Sequence, residues 1–432
     1  MSKELVNPAW SLFSPALVDN STVEKEFVEY RTDNTTLSDT MSNFSINTKD
    51  LDSWMLPSDA YLQVTCRLTD GAGNAFAAGT KIAMVNNAIS LFSRCQYLVD
   101  GQLVEEVNHA GVGTSIKGLL EFSDDYKRST GSAMGWYPDT STAGADDATN
   151  LGFASRMSIV SDNGTMQFMV PLRHIFGFCD TKRCVRGVKH TIKLQKASDA
   201  NILHRDNAVA DGKISFADGK ISLWMPVMKP SLKVQAQLES QIRSGSAQRL
   251  HWVANNVYRS SQFAQANSTP VWRITSSVSQ PRHVFVACQL ASRDNTQTST
   301  NAVFDNLGLT NVHLRVNNKQ YPLEELTCDY DDNVNDYTRA FLSLTQYSNK
   351  YGNSDTGNGV SWPDFKTKYA IYHFDLRHVD TSLINSVSGT TDLEVRARLS
   401  AGGNYQMYAL VLSERSATLS GSAGNKLRIE VS

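Results

Sequence analysis

Apolar residues recur at every second position over short stretches of this chain, and stretches with that period are the signature of half-buried β-strands. Leu62, Val64, Cys66 and Leu68 alternate with Gln63, Thr65 and Arg67, and Asp70-Gly71 closes the run with a turn. CQYLVDGQLVEEV is two apolar-rich runs about Asp100-Gly101, a strong hairpin signal. ISFADGKISLW reads as a second hairpin, with Asp218-Gly219 joining Ile214/Phe216 to Ile221/Leu223, and Pro226 and Pro230 stop its last strand. VWRITSSV and RHVFVACQL are further strands, and VHLRVNNKQYPLEEL is a hairpin about Asn317-Asn318. YAIYHFDLRH, DLEVRARL, YQMYALVLSE and KLRIEV complete the strand set. Helical character is confined to residues 109–128, 231–244 and roughly 333–347. Residues 129–164, rich in Gly, Ser, Thr, Asp and Ala, and residues 348–361 read as long surface loops.

The two halves repeat one order of elements. Each has a two-residue-turn hairpin, a helical segment, a polar loop, a strand ending in Leu-Arg-His, another strand and a closing apolar strand. Leu172-Arg173-His174 corresponds to Leu376-Arg377-His378, and the Asp100-Gly101 turn to Asn317-Asn318. The densest stretch, Met166–Leu194, packs a strand, a Pro-Leu turn, the aromatic knot around Phe176 and Phe178, and a second strand into one span. It reads as a structural corner that shapes the first half and presents a subunit edge. About eight short strands per half, no βαβ alternation and one helix inserted between strands predict an all-β chain of two tandem eight-stranded antiparallel jelly-roll sandwiches. The expected division is an N-terminal arm over 1–25, a first sandwich over 26–230, a connector over 231–244 and a second sandwich over 245–432.

Length and charge fit this picture. The 432 residues suit two all-β domains, and 41 Lys+Arg against 43 Asp+Glu argue against a chain-wide grip on nucleic acid. No sustained apolar run follows Lys3, so no secretory signal and no membrane span are expected, and the Asn-x-Ser/Thr triplets at Asn20, Asn34, Asn43, Asn163 and Asn267 read as unglycosylated. Six scattered cysteines (66, 95, 179, 184, 288, 328) read as reduced, mostly buried thiols.

Candidate chemistry is sparse. His373 and His378 lie on a strand and lack the helical H-E-x-x-H spacing of a zinc site. Cys179 and Cys184, near His174 and His190, have no second Cys pair to complete a zinc set. Asp329, Asp331, Asp332 and Asp336 lack the Gly and terminal Glu of a calcium loop. Gly111-Val112-Gly113 has no Gly-Lys-Ser/Thr ending, and no Gly-x-Ser-x-Gly elbow occurs. Arg173, Lys182, Arg183, Arg186 and Lys189 form the densest basic cluster, read as a solvated turn or an intersubunit ion-pair surface before a genome-facing one. No catalytic, cofactor-binding or metal residue is assigned, and no enzymatic activity is expected.

Several segments carry a resemblance. VPLRHIFGFCDTKRCVRGVKHTIKLQKASDANILHR and KISLWMPVMKPS in the first half, with PRHVFVACQLASRDNTQTSTNAVFDNLGLTNVHLRVNNKQYPLEEL and YALVLSERSATL in the second, resemble double jelly-roll major capsid proteins of eukaryotic DNA viruses. Those of Polinton/Maverick elements and adintovirus-like viruses are the nearest in likeness. The resemblance implies a homotrimer forming a pseudo-hexagonal capsomer of an icosahedral virion shell. Its implied partners are neighbouring capsomers, a single jelly-roll penton protein and minor capsid proteins, without sequence-specific nucleic-acid binding. It also implies synthesis in the host cytoplasm or nucleus. The polar loops would form outward towers, with Trp136, Tyr137, Tyr351 and Trp362 either making contacts between subunits or anchoring loops within one chain. Two other readings remain: a poxvirus-like scaffold protein forming a transient honeycomb, and a tandem β-sandwich carbohydrate-binding protein.

Overall fold

The computed structural model describes residues 20–33, 37–38, 41–49, 53–142, 144–244, 247–347, 357–377, 390–422 and 426–431. The first half contributes eight principal strands: β1 (Thr22–Arg31), β2 (Asn43–Asn47), β3 (Tyr61–Thr69), β4 (Phe92–Val99), β5 (Gln102–Asn108), β6 (Thr165–Pro171), β7 (His190–Lys196) and β8 (Lys213–Pro230). The second half contributes β9 (Gln248–Arg259), β10 (Val271–Val278), β11 (Pro281–Leu290), β12 (Asn311–Val316), β13 (Lys319–Thr327), β14 (Ile371–Asp375), β15 (Thr391–Arg398) and β16 (Tyr405–Ser422).

The sheets repeat strand for strand. The first half pairs β1-β8-β3-β6 in one sheet and β2-β7-β4-β5 in the other; the second pairs β9-β16-β11-β14 and β10-β15-β12-β13. Adding eight to each strand number converts one half into the other. Every ladder between these strands is antiparallel. Each half is therefore a jelly roll of two sheets with four principal strands apiece, to which Trp54–Met55 adds a short fifth strand beside β8 and Lys426–Val431 one beside β16, and the duplicated order read from sequence is a duplication of topology.

The period-two stretches fold as their pattern demands. Leu62, Val64, Cys66 and Leu68 on β3, and Val312, Leu314 and Val316 on β12, all point into the core. Both hairpin turns place two consecutive residues at positive φ, Asp100-Gly101 at 49° and 81° and Asn317-Asn318 at 46° and 71°. That mirror-image turn suits the strand twist and the Gly and Asn found there.

Three helices lie in the expected places: α1 (Ala110–Glu121), α3 (Leu232–Arg243) between β8 and β9, and α4 (Thr338–Tyr347). Of two further helices, α2 (Leu151–Met157) falls inside the segment 129–164 read as a loop, and α5 (Trp362–Thr367) directly follows the segment 348–361.

The structure corrects three expectations. Asp218-Gly219 is not a hairpin turn. β8 runs through it as one strand, and the partners shift from Ser215↔Arg67 to Lys220↔Thr65, a bulge against a continuous β3. A Cβ at Gly219 would sit 2.3 Å from the Thr65 carbonyl oxygen, so the bulge needs glycine. Pro226 does not end the strand either: it faces Phe27 of β1, and its carbonyl accepts the Leu56 N–H at 3.0 Å.

The third correction concerns residues 129–164, which are not simply a surface loop. Trp136, Asp139, Asn150, Phe153 and Arg156 in this segment are all buried. The matching segment 348–361 is described only from residue 357.

Candidate functional site: the seam between the jelly rolls

One continuous core runs through both halves. The jelly rolls meet where β5 and the turn after β6 reach the outer edge of β9. Glu105 on β5 has no exposed surface and lies at the centre of this seam. Its Oε1 accepts N–H bonds from Gly177 at 3.1 Å and from Asn255 of β9 at 2.9 Å, and its Oε2 accepts the Phe178 N–H at 3.0 Å. One carboxylate thus joins the turn of the first jelly roll to an edge strand of the second. Burial pushes the Glu105 carboxyl above the ordinary glutamate range, opposed by these three donors and by the nearby Arg415 guanidinium. Arg415, on β16, reaches back across the seam to donate to the Val104 carbonyl at 3.3 Å.

Around the carboxylate the contact is close and apolar. A Cβ on Gly177 would lie 1.8 Å from the Val253 carbonyl oxygen, so only glycine lets the two backbones approach. Phe178 meets Trp252 edge-on with ring centres 5.3 Å apart, and Phe176 and Phe178 both pack on Tyr97. Asn255 donates to the Ile175 carbonyl at 3.1 Å and accepts from Lys117 of α1 at 3.4 Å. The aromatic knot of Met166–Leu194 is a corner, and the edge it serves lies inside the chain.

A second clamp comes from residues 129–164. Arg156 and Asp139 form a fully buried ion pair at 2.6 Å. Burial alone would raise the Asp139 carboxyl, but the Arg156 guanidinium outweighs it and holds the group below its usual range. Thr300 donates to Asp139 Oδ2 at 3.2 Å, Tyr369 donates to the Asp139 carbonyl at 2.8 Å, and Lys368 donates to the Thr140 carbonyl at 2.8 Å. All three donors belong to the second half. Farther along, the Gln297 side chain bonds both the N–H and the carbonyl of Gly212 at 2.8 Å.

The residues singled out for chemistry do not converge. His373 is buried beside His283, with ring nitrogens 3.0 Å apart, and His378 lies outside the described residues. Cys179 is buried and Cys184 sits 3.4 Å from the Met228 sulfur, while His174 bonds Tyr126 and His190 bonds Tyr97. All six cysteines are unpaired.

The acidic run is held by its own turn: Asp331 accepts the Asn333 N–H at 2.8 Å and Asp332 pairs with Lys366 at 2.6 Å. Gly111 and Gly113 pack α1 against Ser90 and Val257. Of the basic cluster, Arg186 pairs with Glu239 of α3 at 3.4 Å, and Arg173, Lys182, Arg183 and Lys189 are otherwise exposed. Among the described residues no group of three or more His, Cys, Asp or Glu could hold a metal ion.

Trp136 anchors its own loop, buried edge-on against Phe122 at 5.0 Å, and Trp362 stacks on Tyr337 at 4.2 Å; Tyr351 lies outside the described residues. Sequence reasoning did not single out Glu105, Asn255 or Val253. A signal for the first was present: in LVEEV two consecutive carboxylates on one strand cannot both face solvent.

Known proteins share this architecture. No curated protein matches the sequence. Among solved structures, a chain of the Sputnik virophage matches with a TM-score of 0.59 at 12% identity, covering 99% of this chain and 92% of the other. The mavirus major capsid protein matches with a TM-score of 0.55 at 9% identity, over 94% and 90% of the two chains. The Faustovirus major capsid protein gives 0.53 at 10% identity, over 95% and 92%. The family described as double jelly roll-like domain matches residues 82–416. With that match spanning most of the chain, and a jelly-roll topology present twice, this protein belongs to the double jelly-roll-like domain family.

Proposed function

We propose that the protein is a non-enzymatic major capsid subunit, three copies of which form a pseudo-hexagonal capsomer of an icosahedral virion shell. The observation that carries this reading is the pairing of two topologically identical jelly rolls by a buried seam. Two like sandwiches in fixed relation supply two of six near-equivalent positions, and a closed ring of three chains supplies all six. The named mavirus and Faustovirus structures are major capsid proteins of the same fold, which supports the same role here.

In this reading residues 231–244 connect the two jelly rolls, residues 1–25 serve as an arm that leads into β1, and the insertions between β5–β6 and β13–β14 rise together on one face. Those insertions touch each other through Gly359 N–H to the Leu119 carbonyl at 2.6 Å and Tyr347 to Glu121 at 2.6 Å. The partners are neighbouring capsomers, a penton protein and minor capsid proteins, and the location is the virion. No helix among the described residues is long and apolar enough to cross a membrane.

Electron microscopy of the concentrated protein tests this. Three-fold particles of hexagonal outline that close into shells are expected. Open honeycomb sheets favour the scaffold alternative, and isolated monomers retained on a glycan column favour a carbohydrate-binding sandwich.

A further inference from the structure

The connector helix α3 has an apolar stripe with no core beneath it. Val234, Leu238 and Ile242 recur every fourth residue on one face, and no residue of α3 is buried. A surface helix normally lays such a stripe on the core. Here Val234 and Leu238 wall a cleft of about 490 Å³, within the size range of small-molecule sites. The facing walls come from both jelly rolls: Trp54, Cys184 and Met228 from the first, and Leu250 of β9 from the second. Trp54 and Leu250 are buried, and the Cys184 and Met228 sulfurs lie 3.4 Å apart, a polarisable surface that adapts to an aliphatic chain.

The cleft carries one sign of charge. Arg183 and Arg249 line it, no described carboxylate does, and neither arginine forms an ion pair among the described residues. Glu239, the one acid of α3, is engaged by Arg186 at 3.4 Å and Arg243 at 4.0 Å. An apolar trough with two unpaired guanidinium groups complements a molecule with an aliphatic tail and an anionic head.

The cleft also lies apart from the paired insertions. β6 leaves its insertion at Thr165, beside Arg67 of β3, and β8 starts at that same end, with Lys213 beside Thr69. β8 then runs the length of the sheet to Pro230, opposite Thr22, and both of these residues line the cleft. The cleft therefore opens at the end of the first jelly roll far from its insertion.

We propose that this cleft is a binding site for a long-chain fatty acid, with the carboxylate on Arg183 and Arg249 and the chain along Trp54, Met228, Val234 and Leu238. The site goes beyond the capsid reading and does not depend on it.

Cys184 offers a local readout, because it alone of the six cysteines is not buried. The test titrates the full-length protein with decanoate, below its micelle concentration, by calorimetry. In parallel, mass spectrometry follows iodoacetamide labelling of Cys184. One decanoate per chain is expected, and saturating decanoate should slow the labelling. The double variant Arg183→Gln, Arg249→Gln should bind at least about tenfold more weakly, the worth of a charge-assisted hydrogen bond. Leu238→Asp should lose both the binding and the protection of Cys184. Both arginines are exposed and α3 lies outside the core, so circular dichroism should show each variant folded. Decyl glucoside, with the same chain and no charge, should bind wild type no better than decanoate binds the double variant. Wild type without saturable binding overturns the proposal, and occupation of the cleft by residues 1–19, which lead to its rim at Ser21, would give that result. Full-strength binding to the arginine variant, equal binding of decyl glucoside, or binding that leaves Cys184 labelling unchanged overturns it as well.

Discussion

Replacing Glu105 by alanine leaves three buried backbone donors, on Gly177, Phe178 and Asn255, without an acceptor. Each unsatisfied buried N–H costs about 1–3 kcal/mol, so Glu105→Ala should lose roughly 3–6 kcal/mol even after some relaxation. That is a large share of the ~5–15 kcal/mol stability of a typical domain. Glu105→Gln keeps one acceptor oxygen but turns an NH2 toward a backbone donor, for a loss of about 1–3 kcal/mol.

The pH dependence has a defined sign. Burial raises the folded carboxyl above its ordinary value near 4.5, so the unfolded chain releases its proton first. This group's contribution therefore falls as pH rises from 4.5 through the folded value, and the glutamine variant should lose that slope. Urea unfolding at several pH values measures both, and amide exchange at Gly177, Phe178 and Asn255 should accelerate in the alanine variant. A Glu105→Ala protein within about 1 kcal/mol of wild type would refute the claim that this carboxylate holds the seam.

Gly177→Ala forces a Cβ against the Val253 carbonyl backbone, and should cost at least about 1–3 kcal/mol in urea midpoint while Gly73→Ala, with open space around it, acts only through its positive φ. Phe178→Ala empties the contact with Trp252 and should lose about 3–5 kcal/mol, with lower yield of soluble oligomer. Arg156→Ala strands the buried Asp139 carboxylate, for a loss of about 3–5 kcal/mol in the same assay. His190, His204, His283 and His373 are held neutral by burial, with values pushed down to about 4 from 6.5. The unfolded chain then takes up protons first, so stability present above pH 6.5 should fall steadily toward pH 4. Melting temperatures across that range check it, and a flat profile contradicts the neutral, buried placement.

What was legible in the sequence was whatever is decided locally. Strand β3 is set by its own alternation, the hairpins at Asp100-Gly101 and Asn317-Asn318 by turn residues that tolerate positive φ, and the repeat by Leu172-Arg173 recurring as Leu376-Arg377. What was not legible depends on a distant partner. Asp218-Gly219 has the composition of a hairpin turn, and only the unbroken β3 beside it makes it a bulge. Residues 129–164 lack periodicity because their order comes from side chains bonding to backbone, as when Arg156 donates to the Met84 carbonyl at 2.8 Å. Glu105 looks like any strand carboxylate until the second jelly roll delivers the Asn255 N–H to it. The seam is tertiary, and its residues are ordinary in sequence.

The proposed capsomer holds three copies of this chain, and the mass of the purified protein in solution decides whether it forms. Light scattering over a range of concentrations should give a stable species at three times 47.7 kDa. A chain that stays monomeric on concentration would rule out the trimeric capsomer.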